Sequence, residues 1–290
     1  MGIIIKTNKQ AQTKPKKIIL CADDYGYNEA VSSAIITLIK QQRISATSCM
    51  TNFAHWQQLG PRLLPFNDKI DLGLHFNLTT GYALKRNLGF TQTSTHRYPA
   101  LKTLLLKSYL KQITQLEVEQ ELNAQLDRFI AVIGQPPCYI DGERHVHQFP
   151  IIQDALINVI KQRLPHKTYV RSLAKITGTQ SGKIKAGIIR HSGAEKLRQK
   201  LKHHAIPYNA CFSGLYDFTK AVLFPRYFNA FLAAADSGGL IYCHPGKQTS
   251  NSDDPIAAAR VHEFNYLASD QFLSDLDLHS VQLSRFNAAV

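Results

Sequence analysis

Two adjacent carboxylates, Asp23 and Asp24, follow the apolar run 18–22. Like charges placed side by side behind a buried strand destabilise each other, and desolvation adds to the cost. A bound cation or partial protonation relieves it. Successive residues of a strand point to opposite sides, so the two acids can divide the work. One can ligate a metal while the other acts on its water as a general base. The plainer alternative is an Asx turn or a helix N-cap ahead of Asn28.

The densest cluster is Ile140-Asp-Gly-Glu-Arg-His-Val-His147. Asp141, Glu143, His145 and His147 share one parity after a strand-like run, so an extended chain aims all of them to one side. Asp, Glu and His together match the ligand set of Zn²⁺ or another divalent ion. A salt-bridged loop joined by Arg144 is the alternative. His75 sits in an alternating run and shares its parity with Gly73 and Asn77, opposite to Leu72, Leu74, Phe76 and Leu78. That parity means solvent in an amphipathic strand, and the interior or the mouth in a barrel. His244 ends another apolar run and is followed by Pro245 and Gly246. A histidine held there suits a general acid, because its unperturbed pKa lies near neutral.

These groups need elements to carry them. Strands are expected at 18–22, 46–51, 71–79, 138–141, 168–171, 208–212 and 240–243. Helical patterns fall between them. One is capped by Asn28 and carries Val31, Ile35, Leu38 and Ile39 on its apolar face. Another opens on the capping box Thr114/Glu117 and is stopped by 134–137. Ser192/Glu195 reads as a second capping box, and helices are expected at 151–160, 220–235 and 255–268. Residues 80–100 are polar and irregular, which suits a loop over an active face. Strands each followed by helical pattern argue for a parallel sheet. Asp23, Asp24, His75, Asp141, Glu143, Arg171 and His244 all fall at C-terminal strand ends. A barrel makes those ends converge on one face, whereas an open sheet spreads the first and last apart. The expected fold is therefore a distorted, single-domain α/β barrel, with parallel strands and the active site at their C-terminal ends.

The chain has 290 residues of 44% apolar composition, enough for a sizeable core. Its lead, residues 1–17, carries Lys6, Lys9, Lys14, Lys16 and Lys17 and no acid. The apolar stretch there is too short for a signal peptide, and no run reaches the length of a membrane span. A flexible lead, a domain over 18–290 and a cytoplasmic location are expected. Cys21, Cys49, Cys138, Cys211 and Cys243 form no CxxC pair, which suits buried reduced thiols and not a zinc ribbon. The net charge is +13, and 12 of the Lys and Arg residues lie between Lys161 and His204. In that segment Leu197 and Leu201 stand at i and i+4, so the charge reads as the solvated face of an amphipathic helix and not as a nucleic-acid module.

As a set, the pieces resemble the YdjC-like carbohydrate deacetylases, the group of chitooligosaccharide and hopanoid-associated deacetylases. The matching segments are Ala22-Asp-Asp-Tyr-Gly26, Gly73-Leu-His-Phe-Asn-Leu-Thr79, Ile140 to Pro150 and Cys243-His-Pro-Gly246, in family order. Thr47, Ser48 and Asn52 also suit the family's second strand. The resemblance implies hydrolysis of an N-acetyl group from an amino sugar by a divalent ion, Mg²⁺ or Zn²⁺. It implies Asp23 as base, His244 as acid, Arg171 as the arginine orienting the acidic pair, and Asp24 and His75 as metal ligands. The third ligand of the family is usually His where this chain has Glu143. That substitution adds a negative charge and favours harder ions, and His145 is the substitute ligand. Tyr25, Asn77, Asp141 and His147 are expected on the substrate side. An acetylated amino sugar is the expected partner, with a homodimer as candidate assembly and no nucleic acid. Two rivals remain open: a metal hydrolase of another amide, ester or phosphoester, and a non-catalytic carbohydrate binder that lost its metal through Glu143.

Overall fold

The computed structural model describes residues 14–178, 187, 189–249 and 253–289. Residues 1–13 of the basic lead lie outside them. Strand β1 (Lys16–Tyr25) lies inside a parallel sheet. The other strands are β2 (Ala46–Cys49), β3 (Asp71–Phe76), β4 (Tyr139–Gly142), β5 (Tyr169–Val170), β6 (Phe212–Ser213), β7 (Leu240–Cys243) and β8 (Val281–Leu283). The order is β5-β4-β3-β2-β1-β7-β6, and β8 pairs with the first residues of β1. The β5 and β6 ends meet through isolated parallel bridges, Val170 to Tyr208 and Ile176 to Phe212. The sheet thus curls into a distorted α/β barrel, and the C-terminal ends of β1, β3, β4 and β7 open into one cavity.

The alternation within β1 sets the two cores. Ile18, Leu20 and Ala22 pack outward against the helices, while Ile19 and Cys21 pack inward with Ala46, Tyr139, Tyr169, Phe212 and Tyr242. This is the two-residue period of a strand buried on both faces. The inner layer is aromatic: Tyr139 stacks on Tyr169 with centroids 4.8 Å apart, and Tyr169 on Phe286 at 4.0 Å. Gly73 is the residue β3 needs beside this stack, because a Cβ there would lie 2.2 Å from the Tyr139 ring.

The helices cover the outer layer. They are α1 (Glu29–Lys40), α2 (Trp56–Leu59), α3 (Leu101–Tyr109), α4 (Gln115–Ile133), α5 (Ile152–Arg163), α6 (Glu195–His203), α7 (Phe224–Ala234), α8 (Ala257–Leu267), α9 (Asp270–Leu278) and α10 (Phe286–Ala289). Asn28 caps α1 by accepting from the Val31 amide at 2.9 Å, and Thr114 with Glu117 closes the expected capping box on α4. Gly134 ends α4 at φ 80°. Leu197 and Leu201 bury one face of α6, and its Lys and Arg residues lie on the remainder.

Several boundaries differ from the sequence pattern. Lys16 and Lys17 belong to β1, paired with Val281 and Gln282. β3 ends at Phe76 because Asn77 folds back, its Oδ1 accepting from the Thr79 and Thr80 amides at 2.9 and 3.0 Å. β6 is shorter than 208–212 and shifted to Phe212–Ser213. Ser192 does not cap α6: its hydroxyl donates to the Ile189 carbonyl at 2.7 Å within a wide turn over 190–194. Gly193 makes that turn at φ 121°, so close to the Gln148 carbonyl that a Cβ would lie 2.0 Å from the oxygen. Strand β8 carries too little pattern in three residues to be read from sequence.

Candidate active site

A cavity of about 1220 Å³ opens over the C-terminal strand ends. Asp23, Asp24, His75, Glu143, His145 and His244 all line it. The register of β1 slips between Ala22 and Tyr25, and Asp24 takes φ 72°. That bulge, not simple strand alternation, sends the two carboxylates to different partners.

Asp23 is met by a guanidinium fork. Arg171 Nη1 donates to Asp23 Oδ2 at 2.7 Å and Nη2 to Oδ1 at 2.6 Å. The same Nη2 lies 2.6 Å from Asp141 Oδ2. Burial pushes the Asp23 carboxyl up, and Arg171 more than reverses this, holding it well below the usual carboxylate range. Arg171 therefore joins Asp23 to Asp141, not Asp23 to Asp24. The cation on Asp24 is Arg260, whose Nη2 lies 2.7 Å from Asp24 Oδ2. Burial raises the Asp24 carboxyl, and Arg260 with His75 takes it well below its ordinary value.

The other oxygen of Asp24 faces His75. His75 Nε2 lies 3.3 Å from Asp24 Oδ1, and its Nδ1 is 2.6 Å from Asp141 Oδ1. A carboxylate behind one ring nitrogen leaves the other aimed at the cavity, the arrangement that orients a metal-ligating histidine. Burial lowers the His75 pKa, but Asp141 and Asp23 outweigh it and hold the ring well above its ordinary value. The spacing fits a shared cation: ligand atoms at roughly 2.0–2.1 Å from a tetrahedral ion stand about 3.3 Å apart. Asp24 and His75 fit a divalent ion on that test.

Glu143 does not converge with them. Its carboxylate accepts from the hydroxyls of Thr79 and Thr80, the second at 3.0 Å, and Arg144 Nε lies 3.0 Å away. Burial raises its pKa. Among the described residues, only Cys21, Asp23 and Asp141 form a His/Cys/Asp/Glu trio with all ligand atoms within 4.8 Å of one another. That trio already surrounds a cation, since Arg171 Nη2 is also 3.2 Å from Cys21 Sγ. Burial pushes the Cys21 thiol far up, so it stays protonated. We therefore discount it as a metal centre.

The 141–147 segment is not extended. Residues Glu143–Gln148 form a tight turn, with Arg144 at φ 48° and His145 at φ 61°. The four groups of one parity consequently scatter. His145 stands edge-on to Phe212 and Tyr242, each with centroids 5.6 Å away, and burial holds it well below its ordinary pKa. His147 is buried and does not line the cavity; its Nε2–H donates to the Arg171 carbonyl at 2.8 Å. Burial lowers its pKa to about 4.

The expected substrate residues are corrected by the same packing. Tyr25, Asn77, Asp141 and His147 are each fully buried, and none lines the cavity. The Tyr25 hydroxyl donates to the Leu59 carbonyl at 2.7 Å. Asn77 donates to Asn52 Oδ1 at 3.1 Å, and Asp141 serves His75 and Arg171. Tyr27, Arg97, Tyr98 and Phe218 line the cavity instead.

His244 follows the C-terminal end of β7, the strand beside β1, with its ring 4.8 Å from Tyr242 and 5.3 Å from Phe218. Its backbone N–H donates to Glu263, whose Oε1 is 3.9 Å from His244 Nδ1 and accepts from the Tyr216 hydroxyl at 2.6 Å. Arg260 and Glu263 escaped the sequence reading. Their signal was available: the inward stripe of α8 is Ala259, Arg260, Glu263, Tyr266 and Leu267, so two charges sit on a buried helix face.

The chain matches the family model for YdjC-like protein over residues 17–278. A chitooligosaccharide deacetylase of Yersinia enterocolitica is 33% identical over 141 residues, 47% of this chain and 53% of that relative. A carbohydrate deacetylase of Danio rerio is 31% identical over 156 residues, 51% of this chain and 47% of that relative. The chain spans about half the length of the curated relatives it matches. A structure from Enterococcus faecalis V583, described as a candidate cellobiose-phosphate cleavage protein, has a TM-score of 0.71 at 17% identity, covering 95% of this chain and 99% of the other. A peptidoglycan N-acetylglucosamine deacetylase has a TM-score of 0.51 at 11% identity, covering 94% and 87%. At these identities the two structures speak for the fold alone.

Proposed function

The chain belongs to the YdjC-like family, and from that premise we propose that it is a metal-dependent hydrolase removing an N-acetyl group from an amino sugar, in an oligosaccharide or on a glycolipid. One observation carries the proposal: the 3.3 Å approach of His75 Nε2 to Asp24 Oδ1, with Asp141 2.6 Å behind the other ring nitrogen. Asp24 and His75 would hold the divalent ion; Glu143 would become the third donor only on leaving Thr79 and Thr80, with His145 as the substitute donor. When bound, such an ion supplies Lewis acidity to the acetyl carbonyl and to water.

The chain's own groups do the rest. Asp23 stays anionic beside Arg171 and accepts the proton of the attacking water. Its depressed pKa makes it a weak base, so it acts on a water that is already polarised. Arg171 fixes the direction of the carboxylate by binding both oxygens. His244 donates a proton to the leaving amine, its main chain tied to Glu263. Tyr27, Tyr242 and Phe218 supply apolar walls that exclude bulk water and suit the faces of a sugar ring.

The test is acetate release by the metal-loaded protein from N-acetylated chito-oligosaccharides and from glycolipid-linked N-acetylglucosamine. Absence of acetate from both, with about one equivalent of metal bound, defeats the substrate class. A second reading has its own support: Glu143 is engaged by Thr79, Thr80 and Arg144, which favours a carbohydrate binder without hydrolysis. Metal analysis separates the two. Near-stoichiometric metal in the parent, rising in affinity in Glu143→His, favours the enzyme; no metal in either favours the binder.

A further inference from the structure

A buried carboxylate away from the proposed chemistry supports the cavity wall. Glu121 lies on the inner face of α4 and is fully buried, although its residue type is almost never so. It is satisfied by donors from the excursion 80–100. The Leu84 amide donates to it at 3.1 Å, the Lys85 amide at 2.9 Å and the Tyr98 hydroxyl at 2.5 Å. Those donors stand near the two ends of the excursion. The two ends also pair with each other, Tyr82 with Arg97, and the Tyr98 amide donates to the Gly81 carbonyl at 3.1 Å. Gly81, Gln92, Arg97 and Tyr98 from this excursion line the cavity.

The same carboxylate reaches the site. Gln125, one helical turn along, donates to Glu121 at 3.0 Å, to the Tyr98 hydroxyl at 3.0 Å and to the Asn77 carbonyl at 2.7 Å. Asn77 in turn shapes the turn whose Thr79 and Thr80 hydroxyls bind Glu143. One run of hydrogen bonds therefore links the wall to the candidate third metal donor.

We propose that Glu121 is a positioning residue that clasps both ends of the 80–100 wall and so sets how the sugar is held. This rests on the proposed deacetylase reading. The carboxylate is what the geometry requires. It offers acceptors to two amides and a hydroxyl at once, whereas an amide turns one acceptor into a donor that opposes either the Leu84 and Lys85 amides or Gln125 and Tyr98. A buried network left partly satisfied loses its hold on the loop it orders.

The experiment uses the full chain loaded with Zn²⁺ and compares the parent with Glu121→Gln. Hydrogen exchange is read in 81–99 and in β1 and β3, and kinetics are read on an N-acetylated chito-oligosaccharide. Exchange in 81–99 should accelerate while β1 and β3 stay protected. KM should rise by roughly tenfold to a hundredfold, the range in which small misplacements of binding groups act, while kcat stays within about twofold. Tyr98→Phe keeps Glu121 and removes one donor, and should accelerate exchange in 81–99 to a smaller extent; because Tyr98 itself lines the cavity, exchange is its readout, and it is the working variant if Glu121→Gln does not fold. Unchanged exchange in 81–99 overturns the clasp, and so does faster exchange with an unchanged KM. If the parent releases no acetate, the deacetylase reading fails by itself, and exchange in 81–99 alone then decides the clasp.

Discussion

Replacing Arg171 by Met tests the geometry most directly. The side chain is fully buried and binds both oxygens of Asp23, at 2.6 and 2.7 Å, and one oxygen of Asp141 at 2.6 Å. Met conserves much of the apolar stem and removes the charge, leaving two buried carboxylates with His75 as the remaining cation among them. Removing one partner of a buried ion pair costs about 3–5 kcal/mol. An unfolding entropy of roughly 2.1 cal/mol/K per residue over this length gives about 0.6 kcal/mol/K, so Tm should fall by about 5–8 °C at pH 7. The pH dependence has a definite sign. In the parent, the lowered Asp23 pKa contributes stability above the unfolded carboxylate pKa of about 3.9, and this is lost as the pH falls. Without Arg171, burial of the carboxyl is opposed only by the weaker pull of His75 and His244, so the variant loses this stabilisation at neutral pH and has less of it to lose in acid. The Tm difference should therefore narrow between pH 7 and pH 4. Acetate release at pH 7 should drop by about 10²–10⁴-fold, the share a general base supplies. Arg171→Lys should fall between the two, keeping the charge but losing the fork. Scanning calorimetry across pH, with acetate release on the same samples, reads all of this. A Met variant that melts within about 1 °C of the parent and keeps its activity would refute the assignment of Arg171 as the group that holds Asp23 ionised.

Two further outcomes follow from the site. Glu263→Gln should lower kcat by about tenfold to a hundredfold with KM and bound metal little changed, because the group facing His244 Nδ1 loses its charge. An unchanged kcat would remove Glu263 from the reaction. Burial holds His147 at about 4, so the unfolded chain takes up its proton first as the pH falls from roughly 6.5. Stability should decline over that window by up to about 3 kcal/mol from this group, at 1.36 kcal/mol per pKa unit. In His147→Gln the loss between pH 6.5 and 4.5 should be smaller than in the parent; equal slopes by chemical denaturation would show that His147 does not carry it.

The chemistry-bearing positions were legible in the sequence because parallel strands are continuous apolar runs. A polar residue at the end of such a run is conspicuous, and a barrel gathers strand ends on one face. Asp23, Asp24, His75, Glu143, His145 and His244 meet around one cavity for that reason. The capping of α1 by Asn28 and of α4 by Thr114 was likewise local, set within a few residues of chain.

The partners of those groups were decided elsewhere. The bulge at Asp24 and the left-handed Arg144 and His145 depend on how β1 and the 143–148 turn are pinned, and an alternating pattern assumes neither. Tyr25, Asn77, Asp141 and His147 look like substrate contacts in a linear motif, yet packing buries them and none lines the cavity. Arg171 and Arg260 each choose one acid of an adjacent pair, across separations of 148 and 236 residues. Sequence spacing states which residues can face a common end of the sheet. Which carboxylate takes which cation follows from ångström-scale distance and desolvation, and those exist only once the strands have closed.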